Sequence, residues 1–300
     1  MTEPPSAYTG ADTAAETAAI APFGAFAPTP FQNAVRAAAR ALPKGYMGRK
    51  IASALLGPAG GRSNRAFDVT VFGTARARLH PHDNICEKRV YLTPQFWDAD
   101  ERAHLADAIT THTDETFYFL DVGANVGLYT LFARSVARAT GNPLRAACIE
   151  PANEMRRRLS ENLALSDAGD SVRIMPYAAT ATDGPVGFLV NTKSRGMSQL
   201  SDADSQLTVD GKSLHAIIKE TGFPRIDAMK IDIEGYEHQA LKPFFESAAG
   251  TGTETPVPRL IIIEKSHDAS CDTLLRDFGY QVVLENALNN IYQLPTDRRR

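Results

Sequence analysis

The chain has 300 residues, of which 43% are hydrophobic, and a formal net charge of −3 at pH 7. This size allows one large hydrophobic core with accessory segments, and the weak negative charge provides no basic field for nucleic acid. No run approaches the ~20 apolar residues of a membrane span, and the N-terminus lacks the basic and apolar regions of a secretory signal.

The cysteines indicate a reducing compartment. Cys86, Cys148 and Cys271 lie far apart and show no metal-ligand spacing. Cys148 falls within an apolar run, which is typical of a buried reduced thiol. We therefore predict a cytoplasmic protein without stable membrane insertion and without a nucleic-acid partner.

The first 110 residues are predicted to precede the main domain. Residues 1–29 are rich in Ala, Pro and Thr and show no periodicity, which predicts a disordered tail. Residues 30–110 are expected to form an extension of helices and a β-hairpin. The expected elements are two short helices within 31–56, hairpin strands at 67–72 and 75–79, and a helix at 98–109.

The two short helices carry several basic residues. We predict that these side chains face solvent, and the alternative is contact with a membrane or an acidic partner. The residues are Arg36, Arg40, Lys44, Arg49 and Lys50.

Residues 111–297 are predicted to form the main domain, because apolar runs alternate with stretches of helical spacing as in a doubly wound α/β sheet. The expected strands are 117–122, 145–150, 171–175, 226–232 and 259–264. The expected helices are 128–140, 152–165, 213–221, 236–247 and 270–277. Two last apolar runs, 280–284 and 290–294, are expected to pair as a hairpin.

A polar insertion, Pro185 to Gly211, separates the third and fourth strands of this domain. Loops of this length in compact domains are usually functional or disordered. Arg195 and Ser198 either face the substrate or belong to a mobile surface loop, and we favour the loop.

A glycine turn follows the first strand of the main domain, in the segment Asp121-Val-Gly123-Ala-Asn125-Val-Gly127. Dinucleotide sites use G-x-G-x-x-G and place backbone N–H groups on a pyrophosphate. Here an acid comes first, which would repel a pyrophosphate and attract an ammonium. That pattern favours S-adenosylmethionine, which carries an α-amino group and a ribose but no phosphate; the alternative is an ordinary strand-to-helix turn.

The second strand also ends in an acid, Glu150. Ligands of open α/β sheets bind outside the carboxyl ends of the strands. A carboxylate at that position is placed to accept hydrogen bonds from both ribose hydroxyls. Two consecutive strands that each end in an acid therefore favour a nucleoside-binding unit.

Three segments together resemble the FkbM-type methyltransferases, over roughly residues 67–294. They are the Asp121–Gly127 turn, Ile149-Glu150-Pro151, and Met229-Lys230-Ile-Asp232-Ile-Glu234-Gly235. The resemblance implies a class I, S-adenosylmethionine-dependent enzyme with a mostly parallel seven-stranded sheet and an antiparallel C-terminal hairpin. It also implies that adenine lies beside Tyr177, with backbone contacts from Ala178 and Ala179.

In this fold, residues at the end of the fourth strand lie beside the transferred methyl group, so that strand is the place to look for catalytic residues. Strand alternation would place Lys230, Asp232 and Glu234 on one face, and a buried lysine generally needs a partner. We predict Asp232 as base or substrate orienter, Lys230 as its charge partner and Glu234 as a second contact.

Two alternatives to this catalytic assignment stay open. One is a salt bridge of Lys230 with Asp232 or Glu264 that only fixes the sheet. The other is a divalent cation held by Asp232 and Glu234. Two acidic ligands alone are weak evidence for a metal site, and we predict no metal. Asn125 either binds the methionine carboxylate or caps the following helix.

The predicted function is S-adenosylmethionine-dependent O-methylation of a hydroxyl on a sugar, a glycan or glycolipid, or a secondary metabolite. The partner is then a small-molecule or glycan acceptor. One alternative is N-methylation of an amine or protein side chain, although an Asp-Pro-Pro-Tyr motif is absent. The other is a non-catalytic scaffold that binds the cofactor. The sequence does not determine the acceptor or the oligomeric state.

Overall fold

The computed structural model describes residues 19–112, 115–189, 191, 199–200, 207–249, 256–265 and 269–295. Within these residues, no helix is both long enough and apolar enough to cross a membrane. The predicted loop residues Arg195 and Ser198 lie outside the described part, as do residues 1–18 of the predicted tail.

The N-terminal extension contains the predicted helices and hairpin, together with one helix that the sequence analysis missed. The elements are α1 (Pro30–Arg40), α2 (Tyr46–Leu55), β1 (Phe67–Val71), β2 (Ala75–Leu79), α3 (Ile85–Leu92) and α4 (Ala99–Thr110). Helix α3 begins where the Asn84 side chain accepts hydrogen bonds from Cys86 N (3.0 Å) and Glu87 N (3.2 Å), as an N-cap does.

Residues 19–29 were predicted to be disordered, but the structure holds this segment against the hairpin. Gly24 N and Phe26 N donate to Asp68 Oδ2 at 2.8 and 3.0 Å. Asp68 in turn accepts from Arg78, which also pairs with Glu161 at 2.6 Å. These contacts attach the segment and the hairpin to the main domain, although the segment itself shows no periodic pattern.

The main domain alternates strands and helices as predicted. Its first half contains β3 (Phe117–Val122), α5 (Leu128–Thr140), β4 (Leu144–Ile149), α6 (Asn153–Leu165) and β5 (Val172–Met175). Its second half contains α7 (Leu214–Thr221), β10 (Ile226–Ile231), α8 (Glu237–Ala249), β11 (Pro258–Glu264), α9 (Ser270–Phe278), β12 (Gln281–Glu285) and β13 (Asn289–Gln293).

These strands form one seven-stranded sheet in the order β12-β13-β11-β10-β3-β4-β5. Strands β5, β4, β3, β10 and β11 are parallel, and β13 is antiparallel to both of its neighbours. The predicted mostly parallel sheet with an antiparallel C-terminal hairpin is therefore confirmed. Because the strand order reverses between β3 and β10, their carboxyl ends form the crevice where such sheets bind ligands.

Both faces of the sheet are buried, which explains why its strands are nearly continuous apolar runs. Phe119 packs in the cluster that contains α5, α6 and the hairpin. Leu120, the next residue, packs in the cluster that contains α7, α8 and α9. This alternation fixes the register of β3 and so fixes the position of Asp121 at its end.

The insertion between β5 and α7 is not simply the long loop that we predicted. It carries β6 (Ala178–Thr180), β7 (Gly184–Leu189), β8 (Gln199–Leu200) and β9 (Leu207–Ser213), which form a second sheet in the order β6-β9-β7-β8. The strands of this sheet are short and mostly half-exposed, so their sequence lacks the apolar runs of the main sheet.

Candidate active site

The glycine turn joins the carboxyl ends of three central strands. Gly123 N and Ala124 N donate to Ile149 O at 2.9 and 3.0 Å, and Asp232 N donates to Val122 O at 3.0 Å. Gly123 has φ +77°, and a Cβ there would lie 1.9 Å from Asp232 O. Only glycine permits this close approach of the two backbones.

A cavity lies beside this turn, at the carboxyl ends of β4 and β10. We call it the cofactor cavity. Its lining includes five of the seven predicted cofactor residues, namely Gly123, Asn125, Glu150, Ala178 and Ala179. Among the described residues, no lysine or arginine lines it, so that part of the chain places no side-chain cation there for a pyrophosphate.

Glu150 is buried at the edge of the cofactor cavity. Its Oε1 accepts from Ala152 N at 2.9 Å and its Oε2 from Asn125 N at 2.8 Å. These bonds fix the carboxylate and leave lone pairs on both oxygens for further donors. Burial raises the pKa of Glu150 to about 7, and the two backbone hydrogen bonds oppose that rise.

The Asn125 side chain does not cap the following helix. The N-cap of α5 is Gly127, and it makes no side-chain capping bond. Asn125 Oδ1 instead accepts from Asn84 Nδ2 at 2.9 Å, so the extension orients this side chain at the cavity. A role of Asn125 toward the cofactor stays a prediction.

Asp121 lies behind the turn and does not line the cofactor cavity. Its Oδ2 accepts from Thr130 Oγ1 at 2.7 Å and from Thr130 N at 3.2 Å. Burial raises the pKa of Asp121 to about 6, against the opposing effects of Thr130 and Lys230. Gly127 also lies outside the cavity lining; its φ is +81°, and a Cβ there would lie 2.3 Å from Leu159 Cδ1.

A second cavity of about 1070 Å³ adjoins the first, and we call it the acceptor cavity. The two share Gly123, Asn125, Asp232 and Glu234. The acceptor cavity extends toward the N-terminal extension and the C-terminal hairpin. Further lining residues are Arg89, Asp98, Asp121, Tyr129, Lys230 and Glu264.

Lys230 and Asp232 form an ion pair at the boundary between the two cavities. Lys230 Nζ lies 3.0 Å from Asp232 Oδ2, with the lysine side chain 3% exposed and the aspartate 41% exposed. Burial alone would lower the pKa of Lys230, but the nearby carboxylates, Asp232 first, raise it. The partner of Lys230 is thus Asp232, one of the two alternatives expected from the sequence.

The predicted strand alternation does not extend to Glu234. Strand β10 ends at Ile231, and Glu234 lies in the following turn with φ +55°. It still lines both cavities, but the turn rather than the strand positions it. Burial, then the charges of Asp232 and Glu237, raise the pKa of Glu234 to about 7.

Two lining residues of the acceptor cavity were missed by sequence reasoning. Asp98 has φ +40° and accepts from Tyr129 Oη at 2.9 Å. Asp98 is distant in sequence from the strand ends, and the packing of α4 on α5 brings it to Tyr129. Tyr129 follows the glycine turn directly, which is the one sequence signal that could have indicated it.

Carboxyl oxygens of Asp232, Glu237 and Glu264 lie within 4.8 Å of one another. Glu237 accepts from Ile233 N at 2.8 Å and from Gly235 N at 3.1 Å, so it is engaged in shaping the turn. Among the residues that the structure describes, nothing beyond these acids points to a cation, and the absence of a metal stays a prediction.

The sequence model of one protein family, the methyltransferase FkbM domain, matches residues 121–282, more than half of the chain. The chain belongs to the FkbM methyltransferase family. The predicted family, the class I fold and S-adenosylmethionine as the cofactor are thereby confirmed.

Three proteins similar to this FkbM protein share little sequence identity with it. The methyltransferase sdnD of Sordaria araneosa is 24% identical over 207 residues, which cover 57% of this chain and 76% of sdnD. The crystal structure of the FkbM methyltransferase of Methylobacillus flagellatus is 17% identical, with a TM-score of 0.41. The match covers 70% of this chain but only 55% of that protein. A methyltransferase structure from Agrobacterium tumefaciens is 13% identical, with a TM-score of 0.43 and coverage of 77% and 71%.

The residues of the cofactor cavity fit S-adenosylmethionine. The nucleoside has ribose hydroxyls, for which Glu150 offers free lone pairs, and it has no phosphate that would need a cation. Gly123 leaves the turn without a side chain at the cavity wall. Glu150 thus offers an acceptor for the ribose hydroxyls, and its contact with the cofactor stays a prediction.

Because Glu264 lies close to other acids near Asp232, we expect the stability of the protein to depend on pH. Burial, followed by Asp232 and Glu234, raises the pKa of Glu264 to about 8. Between the ordinary glutamate pKa of 4.5 and that value, the folded protein holds a proton that the unfolded chain has lost. The free energy of unfolding should therefore fall as pH rises from about 5 to 8.

Urea unfolding across this pH range measures the effect. Because Glu264 is partly exposed, we expect it to contribute on the order of 1 kcal/mol after allowance for solvent screening. Glu264→Gln should make the decline shallower. An identical slope in the variant and the unchanged protein would contradict the prediction.

Proposed function

We propose that this protein O-methylates a hydroxyl of a sugar, a glycan or glycolipid, or a secondary metabolite. The observation that carries the proposal is the position of Asp232. Its half-exposed carboxylate borders both the cofactor cavity and the acceptor cavity, and Lys230 holds it from the buried side.

Bound S-adenosylmethionine would supply an electrophilic methyl carbon and a neutral thioether leaving group. The protein then has to orient the acceptor hydroxyl and accept its proton. Asp232 can accept the hydroxyl hydrogen bond and take the proton, while Lys230, 3.0 Å away, orients the carboxylate. Positioning contributes about 7–11 kcal/mol in well-oriented reactions, and a general base about 10²–10⁴-fold in rate.

Oxygen is favoured over nitrogen as the nucleophile. A hydroxyl must lose its proton as the bond forms, and the acceptor cavity contains carboxylates that can receive it. The Asp-Pro-Pro-Tyr motif common in amide and nucleobase N-methylation is absent from the sequence.

Two measurements test the proposal. Isothermal titration with S-adenosylmethionine should give a dissociation constant well below 1 mM, since weaker binding would not support turnover. A screen of sugars, glycolipids and polyketide alcohols with radiolabelled cofactor should then give label on oxygen. Binding weaker than millimolar would refute the proposal, and label found only on amines would replace it with N-methylation.

Glu150→Gln is expected to weaken cofactor binding about tenfold, since hydrogen bonds to a charged group contribute about 1.5–3 kcal/mol and the amide retains part of this. Titration calorimetry measures the change. The control is Glu154→Gln, in the first turn of α6, because Glu154 binds Arg157 and Arg158 instead of lining the cavity. Equal affinities of the two variants would show that Glu150 does not contact the cofactor.

A further inference from the structure

A groove of about 1670 Å³ leads from the protein surface to the acceptor cavity. It runs between α2, α3, the residues before α4, and the turn that joins β12 to β13. The groove and the acceptor cavity share Arg89, Asp98 and Leu288. An elongated molecule lying in the groove would therefore extend toward the Lys230–Asp232 pair.

Four basic residues line this groove, namely Lys44, Arg49, Lys88 and Arg89. In the part of the chain that the structure describes, none of them forms an ion pair with a carboxylate. This differs from buried arginines such as Arg78 and Arg158, which contact two or more acids each. The groove therefore contains four cationic side chains that form no ion pair with a carboxylate of the described part of the chain.

In the described part of the chain, the three acids of the groove form no ion pair with these cations. Asp98 accepts the Tyr129 hydroxyl at the inner end. Glu101 is buried and accepts from Asn286 Nδ2 at 2.8 Å and Asn289 Nδ2 at 2.7 Å. The remaining acid, Asp100, is exposed in the first turn of α4.

Arg89 has the most informative position of the four. It lies in the last turn of α3 and lines both the groove and the acceptor cavity. Arg89 is exposed, and a guanidinium can bind a phosphate or carboxylate through two parallel hydrogen bonds. Leu56, Leu92 and Phe96 also line the groove, which suits a ligand with an uncharged body.

We propose that the groove binds the methyl acceptor through an anionic group, a phosphate or a carboxylate, held by Arg89 with Arg49 and Lys88. The acceptor is then an acidic molecule whose hydroxyl reaches Asp232 while its anionic group stays in the groove. This inference rests on the proposed function, because it treats the groove as the entrance for the acceptor.

Calorimetry on the full chain tests the proposal with two probes, inorganic pyrophosphate and citrate. At least one should bind in the millimolar range or tighter, and Arg89→Gln and Arg49→Gln should each weaken it about tenfold, as loss of a charge-assisted hydrogen bond does. Stronger binding of pyrophosphate would assign the group as a phosphate, and stronger binding of citrate as a carboxylate.

The matched control is Lys50→Gln, next to Arg49 on α2 but exposed and outside the groove lining; its affinity for either probe should be unchanged. Failure of both anions to bind, or equal binding by the Arg89 variant, would overturn the proposal. S-adenosylmethionine affinity is measured on every variant and should be unchanged. Absence of cofactor binding would refute the proposed function, whereas intact cofactor binding without anion binding would refute the groove alone.

Discussion

Asp232→Asn is expected to lower turnover by about 10²–10³-fold, within the range that a general base contributes. In the unchanged protein, Lys230 Nζ lies 3.0 Å from Asp232 Oδ2. The amide of the variant keeps an oxygen that can accept a hydrogen bond from Lys230. The ion pair therefore becomes a hydrogen bond, and the fold is retained. What is lost is the group that takes the hydroxyl proton. Steady-state rates with a saturating acceptor measure this loss.

Cofactor affinity separates a chemical effect of this substitution from a structural one. If Asp232 acts on the acceptor proton, the dissociation constant of S-adenosylmethionine should change by less than about threefold while turnover falls. Asp277→Asn, an exposed aspartate in α9, is the control and should leave both values unchanged. Turnover of Asp232→Asn within about tenfold of the unchanged protein would show that another group is the base.

The main sheet was predictable because each of its strands carries a strong local signal. Phe119 and Leu120 are apolar on successive positions since both faces of β3 are covered, and the run then ends in Asp121 and a glycine. The same signal marks Glu150 after β4 and Asp232 after β10. Residues at the carboxyl ends of parallel strands are brought together by topology alone, so the sequence was enough to group them.

The prediction from the sequence was wrong where tertiary contacts determine the backbone conformation. Glu234 follows two alternating positions that fit a strand, yet the chain leaves the sheet at Ile231 and turns. Glu237, from the next helix, accepts the backbone N–H groups of that turn. Local alternation contains no information on this contact from a later residue.

The N-terminal extension was harder to predict for a related reason. Helix α3 is short and lacks a clear apolar stripe, so its main sequence signal is the capping residue Asn84. Its importance for the site comes from a contact across 41 positions, the hydrogen bond from Asn84 to Asn125. Asp98 and Arg89 reach the acceptor cavity in the same way, through packing rather than through a motif.

Gly123→Ala is the substitution for which we expect the largest loss of stability and of cofactor binding. The new Cβ would lie 1.9 Å from Asp232 O, and the backbone has φ +77°. The left-handed conformation costs a non-glycine residue roughly 1–3 kcal/mol, and relief of the clash costs roughly 1–3 kcal/mol more. Urea unfolding should therefore show a loss of roughly 2–6 kcal/mol, with cofactor affinity at least tenfold weaker because the cavity wall must move.

Gly141→Ala separates the cost of the left-handed backbone conformation from the cost of relieving the steric clash. Gly141 ends α5 with φ +78°, almost the same conformation, but nothing lies within 4 Å of a Cβ placed there. This variant should lose only the conformational part, roughly 1–3 kcal/mol, and keep full cofactor affinity. Equal losses in the two variants would mean that the turn needs glycine only for its backbone angle. A larger loss at Gly123, together with weaker cofactor binding, would mean that the approach of β3 to the Asp232 backbone itself builds the site.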